Sequence, residues 1–459
     1  MAMKQFALVS ILVAIGTVLA SPSAMGKEPP SKRADLPTVT TSGNAFWAGK
    51  ERFYIRGIDY QPGGSSADKD PLADSKICSR DIKKFKELGV NTIRVYTVDN
   101  SANHDECMTA LADAGIYLVL DVNTPKYSLN RVNPGPSYNT DYLQNVFATI
   151  DMFSQYRNTL AFFSGNEVIN HLNGTDQSAP YIKAITRDIK NYISSHGLRK
   201  IPVGYSAADV SDNRLQTAYY MNCGSDDMRS DFFAFNDYSW CNSDFKTSGW
   251  EQKVETFGKL GLPIFLSEWG CQKAGEKRII RKFDEVKAMM SEDMTSVYSG
   301  GLLYEYSVEE NDYGLVKIKG DDVDTKGDYD EFRVFASALK DNPAPTGAGG
   351  AASTTHAVPC PTKESKWNVD PSLVPAMPKQ AEKFMKDGAG KGLGLSGPGS
   401  QDSFGSGTST TDVIEGKPSP RNGSKDYDSP SVSLQGNMDK RPMVVSALTL
   451  FTMFVAALL

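Results

Sequence analysis

Two short segments, residues 163–167 and 265–270, run through apolar residues of strand type and reach a glutamate, Glu167 in the first and Glu268 in the second. A carboxylic acid at the exit of a buried strand has a desolvation cost, so its presence there indicates a functional role. Two carboxyls on two strands suit glycoside chemistry, in which one protonates the leaving oxygen and the other attacks or stabilises the sugar cation. The alternative is that each glutamate caps a following helix or pairs with a nearby arginine.

The elements that must position these glutamates alternate between strand type and helix type from residue 46 to residue 340. The predicted strands are Phe53–Tyr60, Thr92–Thr97, Tyr117–Asn123, Leu160–Asn166, Pro202–Ser206, Phe232–Tyr238, Ile264–Glu268 and Gly301–Tyr306. The predicted helices are Arg80–Leu88, Asn103–Ala114, Tyr142–Gln155, Tyr181–Ser195, Trp250–Leu260 and Ile279–Met294. Eight strands separated by helices predict an α/β fold, a (β/α)8 barrel of the TIM type.

Catalytic residues of such barrels lie at the carboxyl ends of the strands. Glu167 follows the fourth predicted strand and Glu268 ends the seventh. Asn166 precedes the first glutamate and can hydrogen-bond a sugar 2-hydroxyl, a contact that strengthens in the transition state. If the two carboxyls serve a retaining mechanism, we expect them to lie about 5–5.5 Å apart.

Composition excludes several other functions. The net charge of −6 and the pI near 5.5 argue against a nucleic-acid partner. No pair of cysteines is spaced as C-x-x-C, and the four histidines show no ligand spacing. We therefore expect no metal site and no cofactor.

Both chain ends carry targeting signals. Residues 1–20 combine Lys4 with an apolar run, which predicts a secretory signal peptide. Residues 437–459 end in a hydrophobic tail after a polar spacer, which predicts a glycosylphosphatidylinositol (GPI) attachment signal that is removed on maturation. The attachment residue would lie between Ser431 and Gly436, and a tail-anchored membrane span is the alternative.

A secreted chain can form disulfides and carry glycans, and its composition also suggests how it divides into domains. Six cysteines in an oxidising compartment suggest three disulfides but leave the pairing open. Asn173 and Asn422 lie in N-glycosylation acceptor sequences. We predict a catalytic domain over residues 34–340, a linker and strap with Cys360 over 341–380, and a flexible Ser/Gly/Pro-rich stalk over 381–436.

The motifs along residues 36–370 resemble those of the fungal GPI-anchored β-1,3-glucanosyltransferases, glycoside hydrolase family 72. The matching segments are Phe53–Gln61, Asn91–Tyr96, Ser128–Arg131, Gly165–Val168, Pro202–Ser206, Ser267–Cys271, Ser299–Gly301 and Tyr304–Tyr306. The Cys-rich carbohydrate-binding module of some members is absent, because Cys360 is the last cysteine. The chain therefore looks like the short subgroup.

This resemblance implies roles for particular residues. Glu167 would be the acid/base and Glu268 the nucleophile. The residues that match sugar-contacting positions of the family, together with one aromatic candidate at the barrel rim, are Tyr96, Asn123, Ser128, Asn130, Arg131, Asn166, Asp209, Arg214, Tyr238 and Tyr304. The implied disulfides are Cys78–Cys107, Cys223–Cys360 and Cys241–Cys271.

Several of these residues have structural alternatives. Asp209 and Arg214 would otherwise form an ion pair within a loop, Tyr96 and Tyr304 would pack at the top of the barrel, and residues 123–131 would be an ordinary loop. Tyr238, Trp240 and Tyr306 are candidates for stacking on an acceptor sugar, or else they pack against neighbouring loops.

The resemblance implies a monomeric cell-wall transglycosylase at the outer face of the plasma membrane. It would cleave a β-1,3-glucan internally by retaining double displacement and join the new reducing end to another β-1,3-glucan chain. An endo-β-1,3-glucanase would use the same carboxylates and transfer to water. A non-catalytic glucan-binding wall protein is the alternative from a different class.

Overall fold

A closed parallel barrel forms the centre of the computed structural model, which describes residues 36–271, 280–325 and 330–401. Below the barrel, β1 (Val39–Ser42), β2 (Ala45–Ala48) and β3 (Glu51–Phe53) form an antiparallel sheet. The barrel strands are β4 (Ile55–Asp59), β5 (Thr92–Val95), β6 (Tyr117–Asp121), β7 (Thr159–Asn166), β8 (Val203–Ala208), β9 (Phe232–Asp237), β10 (Ile264–Trp269) and β11 (Tyr298–Leu303). Each pairs in parallel with the next, and β11 pairs with β4, so the predicted (β/α)8 barrel is confirmed.

Helices connect most of the barrel strands. The first six are α1 (Ser75–Leu88), α2 (Asp105–Asp113), α3 (Pro134–Ser137), α4 (Thr140–Ser154), α5 (Ala179–Ser195) and α6 (Arg214–Met221). They are followed by α7 (Trp250–Phe257), α8 (Glu285–Met289), α9 (Glu292–Thr295), α10 (Glu331–Asp341) and α11 (Phe384–Asp387). Two 3₁₀ turns, Thr175–Ser178 and Lys379–Ala381, and a hairpin of β12 (Lys317–Lys319) and β13 (Asp322–Asp324) complete the described elements.

The boundaries of α1 show how local sequence sets an element. The Asp74 side chain accepts hydrogen bonds from the backbone N–H groups of Lys76 and Ile77, which satisfies two donors at the start of the helix. Gly89 ends it with φ of 80°, a left-handed conformation that glycine adopts without strain. The apolar side chains between these caps face the barrel.

The core of the barrel is sealed at the amino end of the strands. The Phe46 ring on β2 lies 5.8 Å from the rings of both Phe232 and Phe265, at the starts of β9 and β10. These side chains form one buried cluster with Ile55 and Phe163. The amino end is therefore filled with apolar side chains, and the polar residues collect at the carboxyl end.

Several predicted elements differ from the structure, among them the first helix, which begins at Ser75 instead of Arg80. The eighth barrel strand begins and ends three residues earlier than predicted, because Gly300 and Gly301 pair with β4. A Cβ at Gly300 would lie 2.0 Å from the Ile55 carbonyl oxygen, so this approach requires glycine. The first residue of the predicted helix Ile279–Met294 lies outside the described residues. In the rest of that range the structure has α8 and α9, which are separated at Ser291, whose extended backbone (ψ 158°) ends the helical run.

The three disulfides implied by the resemblance are present. Cys78–Cys107 joins α1 to α2, and Cys241–Cys271 joins the segments that follow β9 and β10. Cys223–Cys360 ties the segment after α10 to the end of α6.

Residues 381–401, the first part of the predicted flexible stalk, instead pack against the barrel. Phe384, Ala389 and Ser400 are all buried. The prediction of flexible chain is wrong here because the glycines of this segment allow close contact with the loops beneath it. The predicted signal peptide, the remainder of the stalk with Asn422, and the GPI signal lie outside the described residues. Within the part of the chain that the structure describes, no helix is long and apolar enough to cross a membrane.

Candidate active site

The two glutamates lie at the carboxyl ends of the fourth and seventh barrel strands, β7 and β10. Glu167 directly follows β7 and adopts φ of 48°, a left-handed conformation that costs a residue with a side chain about 1–3 kcal/mol. Its backbone N–H donates to the Ser206 carbonyl, 2.9 Å away on β8. Glu268 lies within β10, next to a register shift in its pairing with β9. Irregular backbone at both positions therefore aims the side chains.

Glu268 is held by three hydrogen-bond donors. Its Oε1 accepts from the Tyr96 hydroxyl at 2.8 Å and from Arg94 Nη1 at 3.1 Å. Its Oε2 accepts from the Tyr238 hydroxyl. The residue Glu268 is 6% exposed, so these donors replace the water that its carboxyl would otherwise bind. The three donors by themselves favour the ionised form of Glu268.

Burial raises the pKa of the Glu268 carboxyl to about 7, and the charge of Glu167 acts in the same direction. The Arg94 charge and the hydrogen bonds from Tyr238 and Tyr96 oppose this rise. Without these donors, burial would favour the neutral acid even more strongly.

Arg94 is the cation at the centre of the site, and sequence reasoning did not single it out. It is fully buried on β5, and its Nε and Nη2 donate to the two oxygens of Asp121 at 2.8 and 3.2 Å. Its guanidinium carbon also lies 4.2 Å from the centre of the Tyr96 ring. An arginine in the apolar strand Thr92–Val95 was the signal that could have identified it.

Glu167 has a different environment from Glu268. It is half-buried, and its Oε1 accepts a hydrogen bond from Asn236 Nδ2 at 2.8 Å. Asn236 is held in turn by Ser267, whose hydroxyl donates to Asn236 Oδ1 at 2.9 Å. Ser206 donates to Asn166 Oδ1 at 2.7 Å, which places Asn166 in the same polar cluster. Sequence reasoning missed Asn236, which is a polar residue near the end of the aromatic strand β9.

Aromatic residues line the opposite side of Glu268. The Tyr304 hydroxyl donates to Ser65 at 3.3 Å, and its ring lies 6.0 Å from the Tyr238 ring. Tyr313 packs against both rings at 5.3 and 5.4 Å. The structure thus brings the predicted residues Tyr96, Tyr238 and Tyr304 together around the carboxyl, with Tyr96 and Tyr238 as its donors.

Two other aromatic candidates are not available to a sugar. Tyr306 is fully buried and donates to Asp81 at 2.8 Å. Trp240 is 4% exposed and its ring packs 4.9 Å from the Trp250 ring. The prediction that these two residues stack on an acceptor sugar is therefore wrong, because both side chains are packed within the protein behind the rim of the barrel.

The loop Asn123–Arg131 follows β6 at the same end of the barrel. Asn123 Oδ1 accepts from the Tyr142 hydroxyl at 2.5 Å, and Asn130 Oδ1 accepts at 3.0 Å from the backbone N–H groups of the two residues that follow the loop. These two side chains therefore shape the loop. Arg131 is exposed, whereas Ser128 is half-buried.

Asp209 and Arg214 form the ion pair named as their structural alternative. Arg214 Nε donates to Asp209 Oδ1, and Lys253 Nζ binds Asp209 Oδ2 at 2.7 Å. Lys253 also pairs with Asp237, the last residue of β9. This network fixes the loop after β8 beside the site.

Asp59 is a further buried carboxyl that sequence reasoning missed. It ends β4 in register with Arg94, is fully buried, and neither of its side-chain oxygens has a hydrogen-bond partner among the residues that the structure describes. Burial raises its pKa well above the usual range; Arg94 opposes the rise, whereas Glu268, Glu305 and Asp121 add to it. Burial therefore favours the neutral form of Asp59.

Two further points concern the glycan acceptor Asn173 and possible metal ligands. Asn173 is exposed in the segment between β7 and the first 3₁₀ turn, as a glycan acceptor must be. No cluster of His, Cys, Asp and Glu side chains suited to a metal ion occurs within residues 36–271, 280–325 and 330–401.

Comparisons with known proteins agree with this geometry. A family model described as glucanosyltransferase (glycoside hydrolase family 72) matches residues 29–339. The chain is 58% identical over 390 residues to the Aspergillus fumigatus 1,3-beta-glucanosyltransferase gel1, covering 84% of this chain and 83% of the relative. It is 49% identical over 369 residues to the Saccharomyces cerevisiae 1,3-beta-glucanosyltransferase GAS5, covering 79% and 75%. The structure resembles a Glu-to-Gln mutant of Saccharomyces cerevisiae Gas2p in complex with laminaritetraose and laminaripentaose, with a TM-score of 0.68, 37% identity and 76% coverage of each chain.

Proposed function

The chain belongs to the glucanosyltransferase family of glycoside hydrolases, family 72, and we propose that it cleaves and rejoins β-1,3-glucan through Glu268 as nucleophile and Glu167 as acid/base. It is a β-1,3-glucanosyltransferase of the cell wall. The observation that supports the catalytic assignment is the difference between the hydrogen-bond environments of the two glutamates at the barrel rim. Three donors including a guanidinium surround Glu268, whereas one neutral amide contacts Glu167.

The first chemical step forms a glycosyl-enzyme. A Glu268 oxygen attacks the anomeric carbon while the bond from that carbon to the glucan oxygen breaks. The electron pair of the broken bond stays on the leaving oxygen, which takes the proton of Glu167. Arg94, Tyr96 and Tyr238 hold the carboxylate of Glu268 in place, so little reorganisation is needed at the moment of attack.

The second step reverses these roles. Glu167, now a carboxylate, takes the proton of an acceptor 3-hydroxyl, and the acceptor oxygen attacks the anomeric carbon. The ester to Glu268 breaks and returns the carboxylate. The new β-1,3 bond has the configuration of the old one because two inversions occur.

Sugar contacts follow from the residues around the two carboxyls. Asn166 is next to Glu167 and is held by Ser206, so its amide N–H₂ is oriented for a sugar 2-hydroxyl. Tyr304 supplies an aromatic face, and the loop Asn123–Arg131 borders the cleft. Asp209 and Arg214 contribute through the loop that their ion pair fixes. That a relative binds laminaritetraose and laminaripentaose supports a β-1,3-glucan substrate.

The chain ends support a location at the cell surface. The secretory signal peptide at residues 1–20 would direct the chain out of the cell, and the GPI signal at 437–459 would leave it on the outer face of the plasma membrane. This position would hold the enzyme next to the glucan of the cell wall. We expect it to act there as a monomer. Asn173 and Asn422 would carry glycans.

Mass spectrometry of products tests the proposed chemistry. The secreted chain without residues 437–459 is incubated with a reduced laminari-oligosaccharide, alongside Glu167→Gln and Glu268→Gln. Products both shorter and longer than the substrate are expected from the wild type. Glu167→Gln should lower the rate about 10²- to 10⁴-fold, the usual contribution of a general acid, and Glu268→Gln should abolish turnover.

A matched control is Glu285→Gln, because Glu285 is a buried glutamate on α8 outside the site. This variant should retain the wild-type product distribution. Only shorter products from the wild type would instead indicate a hydrolase. Binding of glucan without any product would indicate the non-catalytic wall protein.

A further inference from the structure

The segment from Ala389 to Gln401 lies across the loops that follow the second and third barrel strands. The Ala389 N–H donates to the Tyr192 hydroxyl at 2.9 Å, and the Gly394 N–H donates to Asn100 Oδ1 at the same distance. Asn100 belongs to the loop after β5, at the carboxyl end of the barrel. The segment lies beyond residues 29–339, which match the family model.

Glycines allow this segment to lie so close. A Cβ at Gly392 would meet the Asn100 carbonyl oxygen at 2.3 Å, and one at Gly397 would meet the Tyr127 hydroxyl at 2.1 Å. A side chain at Gly392 would push the segment away from the backbone of the loop after β5, and one at Gly397 would require the Tyr127 hydroxyl to move. The Gly-rich composition is therefore a requirement of contact, not of flexibility.

The end of the segment binds the loop Asn123–Arg131. The Ser400 N–H donates to the Lys126 carbonyl at 2.9 Å, and Asn139 Nδ2 donates to the Ser400 carbonyl at 3.0 Å. Gln401 Nε2 then donates to both the carbonyl oxygen of Ser128 at 2.7 Å and its hydroxyl oxygen at 2.9 Å. One amide group thus fixes the backbone and the side chain of the same residue.

This contact directs the Ser128 hydroxyl. A serine hydroxyl has one proton to donate and two lone pairs to accept. The Gln401 amide occupies a lone pair, so the Ser128 proton is directed away from Gln401 and is free to meet an acceptor. A sugar hydroxyl or ring oxygen is such an acceptor.

The loop lies close enough to the reacting groups for this to affect substrate binding. Asp121, two residues before the loop, binds Arg94 at 2.8 Å, and Arg94 Nη1 in turn donates to Glu268 Oε1 at 3.1 Å. We propose that Gln401 is a positioning residue that orders the loop Asn123–Arg131 and orients the Ser128 hydroxyl as a donor to the glucan, an inference that rests on the proposed function.

The discriminating variant is Gln401→Glu. It keeps the size of the side chain but has no N–H, so it would repel the Ser128 carbonyl and would accept the hydroxyl proton meant for the glucan. Transfer on reduced laminari-oligosaccharides is measured with the secreted chain, together with the melting temperature. We expect Gln401→Glu and Gln401→Ala to raise KM about three- to tenfold, the effect of losing a hydrogen bond, with kcat within about twofold.

Two further variants complete the test. Ser128→Ala should raise KM by a similar factor, and combining it with Gln401→Ala should add little, because both remove the same interaction. Lys391→Ala is the matched control, since this exposed side chain lies on the same segment and should leave KM unchanged.

An unchanged KM in Gln401→Glu, or fully additive effects of Ser128→Ala and Gln401→Ala, would overturn the proposal. A lower melting temperature with unchanged KM would likewise reduce Gln401 to a structural role. Absence of longer products from the wild type would refute the proposed transfer itself and is observed separately from these comparisons.

Discussion

The hydrogen bond from Tyr238 to Glu268 permits a quantitative test of the nucleophile assignment. Tyr238→Phe removes the hydroxyl that donates to Glu268 Oε2 and keeps the ring that packs against Tyr304 and Tyr313. A hydrogen bond to a charged group contributes about 1.5–3 kcal/mol, and one pKa unit corresponds to about 1.4 kcal/mol. We therefore expect the pKa of Glu268 to rise by about one to two units above its value of about 7.

The sign of the effect follows from the ionised form that the hydroxyl stabilises. Without Tyr238 as donor, the proton on Glu268 is retained to higher pH, so the nucleophile is lost at low pH. The acidic limb of the kcat/KM profile should move upward by the same one to two units. At pH values well below both pKa values, Tyr238→Phe should be about 10- to 100-fold slower than the wild type, and the ratio should shrink as pH rises.

The measurement is the kcat/KM for transfer across the pH range, with the buffers matched in ionic strength. Tyr313→Phe is the control, because the Tyr313 ring packs in the same cluster while Glu268 takes its hydrogen bonds from Tyr96, Arg94 and Tyr238. A rate ratio independent of pH, or an equal shift in the control, would show that Tyr238 acts by packing alone.

Two further predictions concern stability. Asp59→Asn should be about as stable as the wild type near pH 4 and more stable near pH 7, because burial raises the pKa of Asp59 and the folded wild type keeps a proton that the unfolded chain releases above its usual pKa. Urea unfolding at the two pH values measures this difference. A variant that is less stable at both pH values would show that Asp59 is needed as a carboxylate. Replacing Cys223 and Cys360 together by serine should lower the free energy of unfolding by about 2–5 kcal/mol, because their disulfide closes a loop with a sequence separation of 137. Thermal unfolding should therefore show a lower melting temperature, whereas kcat should be unchanged.

The barrel and its two glutamates were predictable because their signals are local. Each strand is a short apolar run, each helix has an apolar stripe, and the rule that catalytic groups follow the strands locates Glu167 and Glu268 without knowledge of any contact. Errors remained where tertiary contact overrides local pattern. The eighth strand starts early because Gly300 fits against Ile55, a neighbour distant in sequence.

The support of the site could not be predicted in the same way. Arg94 meets Asp121 at a separation of 27 residues and Glu268 at a separation of 174. A single polar residue in an apolar strand shows that something compensates its burial, but the sequence does not show which group does so. The prediction that the segment Ala389–Gln401 is flexible was wrong for a related reason. Glycine is common both in flexible chain and where two backbones come into close contact, and the sequence alone does not distinguish the two cases.

The division of labour between the glutamates is set by their neighbours. Glu167 directly follows a strand that contains aromatic residues, Glu268 lies near the end of another, and each has a polar residue before it, so their local sequences are similar. Arg94 provides the positive charge next to Glu268 and Asp121, whereas burial raises the pKa of the neighbouring Asp59 and so favours its neutral form. Glu167 instead accepts a hydrogen bond from the neutral Asn236 amide. The placement of one arginine on β5 therefore distinguishes the proposed nucleophile from the proposed acid.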